Sequence, residues 1–172
     1  MSESQDLVIF DHGAMQHLNY QGMLAYHGGQ AVLGATIGYR AMQCSGGILS
    51  RVTLWDRRDL KVENEHPGPG VRDAIEYVTR CVTRNRYTPV SGQTTCNAGM
   101  KFVWRVNDGK QQVEVKLRPN ILPDRFFQLL EKFSNEQESP NERQELEELK
   151  QSESKALWSL SLEELFEVHH NV

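Results

Sequence analysis

The chain has 172 residues, 38% of them hydrophobic and 24% charged, with a formal net charge of −4. That is the balance of one globular domain with its own core. It excludes an electrostatic case for nucleic acid or an anionic membrane as partner, and no run approaches the roughly 18 apolar residues of a membrane span.

In chain order, Met15, Leu18, Met23 and Leu24 fall loosely at helical spacing and predict a helix over residues 14–25, capped by Asp11. Gly28 and Gly29 break it. A second helix is predicted from Gln30 to Gln43, stopped by Ser45-Gly46-Gly47. Gly34 and Gly38 share one face of it, which predicts close approach of another backbone. Residues 48–55, ILSRVTLW, alternate and predict a strand. Residues 56–70 read as a polar loop ending in His66-Pro67-Gly68-Pro69-Gly70. Val71, Ile75, Val78 and Val82 give an amphipathic helix over 71–83. A strand near Tyr87–Val90 follows, then strands at Lys101–Asn107 and Gln111–Leu117 joined by the hairpin signal Asp108-Gly109. Pro123 and Asp124 open a helix over 123–133.

Between Glu136 and Lys155 there are seven acidic and three basic residues. The segment reads as a solvated linker with one exposed helix after Pro140. Ser161, with Glu164 three residues on, forms a capping box for a last short helix. His169 and His170 read as part of a disordered terminal tail. The strands cluster late and pair locally, which predicts an α+β fold with a small mixed or antiparallel sheet packed against helices. The division expected is a core over 1–134, an acidic linker with an exposed helix over 135–156, and a C-terminal helix and tail over 157–172 that rejoin the core.

Some of these stretches resemble the FmdE domain family, which takes its name from a component of formylmethanofuran dehydrogenase. Tyr26-His27-Gly28-Gly29 and Gly38-Tyr39-Arg40 resemble that family's His-Gly loop and the Gly-x-Arg end of its helix. Asp73-Ala74-Ile75-Glu76 followed by Cys81-Val82-Thr83 is similar to its Asp-Ala-Ile-Gln and Cys-Thr segments. Asn97 to Phe102 is a looser match to its central strand, and Trp158 to Phe166 to the closing segment. The resemblance implies an α+β core, pairing as a homodimer, and a metal pocket at the His-Gly loop. It also implies an accessory role beside molybdenum or tungsten enzymes of one-carbon metabolism. The family's second loop histidine and its loop cysteine are replaced here by residues of the Gly29–Val32 stretch. His27 and Cys81 are what remains of the implied ligand set for a divalent ion such as zinc. A zinc site takes three or four protein ligands, so His12, His17 or His66 would have to join them.

The residues themselves give a ligand site at His27, Gly28, Gly29 and Gln30, where free N–H groups at a helix start can hold an anion. Arg40 is a candidate fork for a carboxylate. The plain alternatives are a helix-capping histidine, packing glycines and a surface arginine. No Gly-Lys-Ser/Thr phosphate loop is present, so no nucleotide is expected. Cys81 reads as a ligand, as a nucleophile with His27 as base, or as a small buried hydrophobe. The functions that follow are a ligand- or metal-binding accessory protein of the FmdE kind with reduced metal capacity, a Cys/His enzyme, or a structural protein docking a partner through 136–155. Three cysteines in no CxxC pair, and an N-terminus with no apolar leader, predict a cytoplasmic protein.

Overall fold

A computed structural model describes residues 6–90 and 96–172. The fold is α+β, as the element order predicts, with one two-stranded and one five-stranded sheet. Strands β1 (Leu7–Asp11) and β2 (Ala14–Leu18) pair antiparallel across His12 and Gly13. Both turn residues have positive φ, 51° and 80°, as a two-residue hairpin of this hand requires. The Asp56 carboxylate holds the turn by accepting from both of their N–H groups at 3.0 Å. The helix predicted over 14–25 therefore begins only after Asn19, which caps α1 (Tyr20–His27) by accepting from Gly22 N–H at 2.7 Å. Asp11 caps nothing; it binds Arg84 and Arg57.

Helix α2 (Val32–Leu49) is 18 residues long and mostly buried. It runs through the Ser45-Gly46-Gly47 stop that the sequence suggests. Ser45 returns its hydroxyl to the Ala41 carbonyl, and a Cβ on Gly46 would stand 2.5 Å from the Trp55 indole. Glycine is thus placed there for packing rather than to end the helix. Consequently no strand forms over 48–55. The chain leaves the helix at Leu49 and brings Trp55 back beneath it.

The larger sheet runs β4-β3-β5-β6-β7. Strands β3 (Lys61–Asn64) and β4 (Tyr87–Pro89) are parallel and are joined through α3 (Pro69–Thr79). The remaining pairs, through β5 (Val103–Asn107), β6 (Gln112–Leu117) and β7 (Phe166–Asn171), are antiparallel. β3 lies inside the predicted loop; only Val62 and Asn64 of its four residues are buried, too short an alternation to register. β7 occupies what reads as a disordered tail, and His170 Nε2 lies 2.9 Å from Gln111 Oε1. The hairpin of β5 and β6 forms where the sequence places it, and α3 begins there too but stops at Thr79, because Arg80 turns left-handed with φ 59° and leaves Val82 outside the helix.

Helices α4 (Asp124–Ser134), α5 (Pro140–Ser159) and α6 (Leu162–Leu165) complete the chain. The predicted capping box at Ser161 forms, as does one at Ser139 with Glu142. In place of a solvated linker, α5 packs against α2 and α4. Leu146 and Leu157 are buried, and Trp158 stacks on Tyr20 at 4.1 Å. Among the described residues, no helix is long and apolar enough to cross a membrane.

The tightest joint in the core is between α2 and α3. Gly38 lies against Val71 and Ala74, and a Cβ on Gly70 would stand 2.2 Å from the Ala31 carbonyl oxygen and 2.7 Å from Ala35 N. Both obstacles are backbone, so neither helix can yield locally. Gly70→Ala is expected to destabilise the fold by about 1–3 kcal/mol or more, read as a lowered urea midpoint with an unchanged slope.

Candidate ligand-binding site

A cavity of about 550 Å³ opens where the N-terminal ends of α2 and α3 meet α4 and α5. That is within the usual range for small-molecule sites. Its walls are mainly apolar: Leu33 and Ile37 of α2, Met100 and Phe102 before β5, and Phe126 and Leu130 of α4. A wider hollow of about 730 Å³ beside Arg40 and Trp158 has neither histidine nor cysteine in its lining. The smaller cavity is the better candidate because reactive and unsatisfied groups gather there.

The first is His27. It ends α1, and Gly28 caps that helix in the left-handed conformation with φ 56°, where glycine carries no steric cost. The imidazole is 5% exposed and its Nδ1–H donates to Asp73 Oδ2 at 2.8 Å. A carboxylate only accepts, so this bond fixes which nitrogen holds that proton. The other nitrogen, Nε2, is buried and meets no hydrogen-bond partner among the described residues. It faces Gly29, where a Cβ would stand 3.1 Å away. A buried polar atom without a partner costs about 1–3 kcal/mol, so it calls for an explanation.

The second is His66, from the loop after β3. The Asn64 side chain pins this loop by bonding the His66 backbone on both sides, at 2.8 and 2.9 Å. Nδ1–H of His66 donates to the Lys101 carbonyl at 3.0 Å, and its ring packs on Phe102. Burial pushes its pKa down to about 4, so the ring is neutral near pH 7 and its Nε2 is an acceptor. Gly68 leaves room for this edge: a Cβ there would lie 2.7 Å from His66 Nε2 and 3.5 Å from Cys96 Sγ. Burial also raises the Cys96 thiol. Lys150, from α5, reaches the rim and is bonded to Glu147.

Of the residues the sequence singles out, His27, Gly29 and Gln30 line this cavity, while Gly28 lies behind it as the helix cap. Arg40 does not reach it. Its guanidinium donates to the Leu160 carbonyl and to Gln43, and lies over the Trp158 ring. Nor does Cys81, which sits in the core beyond the far end of α3. Its Sγ lies 3.5 Å from the Leu60 carbonyl, and burial raises the thiol. His27 and Cys81 therefore do not form a metal pair or a nucleophile–base pair, because most of α3 lies between Asp73 and Cys81. His12 and His17 belong to the β1–β2 hairpin and also stand outside the cavity. Among the described residues, no group of three or more His, Cys, Asp or Glu is arranged to hold a metal ion. The implied zinc site does not fit the side chains present.

Asp73, His66 and Cys96 emerge as functional candidates only in three dimensions. For Asp73 a signal existed in the Asp73-Ala74-Ile75 match, and His66 stood among the histidines that could complete a zinc site; for Cys96 there was none. Compared with known protein families and with characterised proteins, the chain matches none.

His66 has a readable consequence. A histidine held neutral in the fold contributes fully above its ordinary value near 6.5 and loses that contribution as the pH falls toward 4, because the unfolded chain then binds the extra proton. The urea midpoint is expected to drop over this window, by at most about 3 kcal/mol in stability. His66→Gln is expected to flatten that part of the profile.

Proposed function

We propose that this chain is an accessory domain of the FmdE kind whose task is to hold a small, largely apolar molecule. One polar group of that molecule meets Nε2 of His27. The observation that carries this reading is the single unpartnered nitrogen of a buried, carboxylate-anchored imidazole on the wall of an otherwise apolar cavity. Such sites pair a large apolar surface with a few placed polar atoms that orient the ligand. The order of His-Gly loop, long glycine-bearing helix and Asp-Ala-Ile helix supports the FmdE comparison. An enzymatic use of Cys81 has no such support. Three free cysteines accord with a reducing, cytoplasmic setting. The resemblance also carries pairing as a homodimer, which sedimentation of the purified protein tests.

The binding reading is tested with the uncharged apolar dye Nile red. Wild-type protein is expected to enhance its fluorescence with single-site saturation. Gly29→Ala places a methyl 3.1 Å from Cε1 and Nε2 of His27 and is expected to weaken that binding by about fivefold with the fold intact. Absence of saturable binding to the wild type would remove the reading.

A further inference from the structure

We infer that the molecule held in this cavity is a monocarboxylic acid with an apolar body, its carboxyl group seated between the first turns of α2 and α3 and against His27. The inference rests on the binding reading above and goes beyond it by naming the headgroup.

Three observations converge. The first is that both helices begin at the cavity without a side-chain cap. Ala31 and Gly68 occupy the two N-cap positions, and neither supplies a side-chain acceptor. The first N–H groups of a helix have no partner within it, and the helix dipole makes that end favourable for negative charge. Here two such ends lie side by side: a Cβ on Gly34 would stand 3.6 Å from Val71 N, and Gly70 touches the backbone of Ala31 and Ala35. Gly34 and Gly70 allow the two backbones this close approach, and because Pro69 has no N–H the amides at the start of α3 are those of Gly70 and Val71.

The second is His27. Its ring is bonded to Asp73, on the second turn of α3, and its Nε2 is buried with no partner among the described residues. A carboxyl group meets this nitrogen in either protonation state. The acid O–H donates to the Nε2 lone pair, or the carboxylate accepts from Nε2–H; the same two atoms and one proton serve both. The second carboxyl oxygen is left for the backbone N–H groups.

The third is the charge of the lining. Lys150 is the one charged residue among the described residues that line the cavity; no Asp, Glu or Arg does. An acidic wall that would repel an anion is missing from that set, and so is the arginine fork that a phosphate or sulfate group commonly recruits. His66 is kept neutral by burial, and Asp73 and Glu147 stand behind His27 and Lys150 as their partners. The body of the ligand then lies along Ile37, Phe102, Phe126 and Leu130.

The experiment is calorimetric titration of the full chain with decanoate, decanol and decyltrimethylammonium, which share the apolar body and differ in the head. Decanoate is expected to bind about tenfold or more tighter than decanol, with the cation weakest. In His27→Gln, folding being checked by its urea midpoint, the preference for decanoate over decanol is expected to shrink. If all three probes fail to bind, the ligand-binding reading itself fails. If decanol or the cation binds as well as decanoate, the cavity stands as a binding site and the carboxylate assignment is overturned. An unchanged preference in His27→Gln overturns the seat at His27.

Discussion

The contact that everything else depends on is the one between Gly70 and the backbone of α2. Two helices cannot bring their N-terminal turns this close if either carries a side chain at the crossing, because the opposing atoms are the Ala31 carbonyl and the Ala35 amide rather than movable groups. Gly38 repeats the arrangement further along α2, against Val71 and Ala74. The pair of contacts sets the relative placement of α2 and α3. It thereby sets where Asp73 stands with respect to His27, and leaves the two helix starts facing the same hollow.

From that joint the remaining walls follow. α3 connects β3 to the parallel β4, so fixing α3 also fixes the loop between β3 and α3 that carries His66. Asn64 then locks this loop by bonding both the N–H and the C=O of His66. On the opposite side α4 and α5 close the cavity with Phe126, Leu130 and Lys150. The α4–α5 pair is itself tied on its outer face by Arg125 with Glu145 and Lys132 with Glu142. Exposed pairs of this kind are each worth little, so the burial of Leu146 and Leu157 holds α5 in place.

Polar chemistry at the site is economical. His27 and His66 each commit Nδ1 to a fixed acceptor, a carboxylate in one case and a carbonyl in the other. Each therefore has one defined nitrogen left. At His66 desolvation dominates and the ring is neutral. At His27 the Asp73 carboxylate accepts from Nδ1–H whether or not Nε2 carries a proton. Both rings are deeply covered, so it is the partner on Nδ1 that distinguishes them.

The sequence by itself determined the elements whose pattern is local: α3 from its aligned apolar residues, the β5–β6 hairpin from Asp108-Gly109, and the capped helices near the C-terminus. It also pointed to His27 and to the packing role of Gly38. Tertiary structure decided the rest. Ser45-Gly46-Gly47 reads as a helix stop, yet Trp55 fills the space above Gly46 and the helix continues. The hairpin at the N-terminus depends on Asp56, more than 40 residues away, and β7 depends on β6 as its partner. Cys81 looked eligible because a one-dimensional match carries no distances; in the fold, most of α3 separates it from His27. His66 and Cys96 became neighbours at Gly68 through contacts between segments far apart in the chain. Periodicity reports what a residue's own helix or strand demands, and these features were set by residues belonging to other elements.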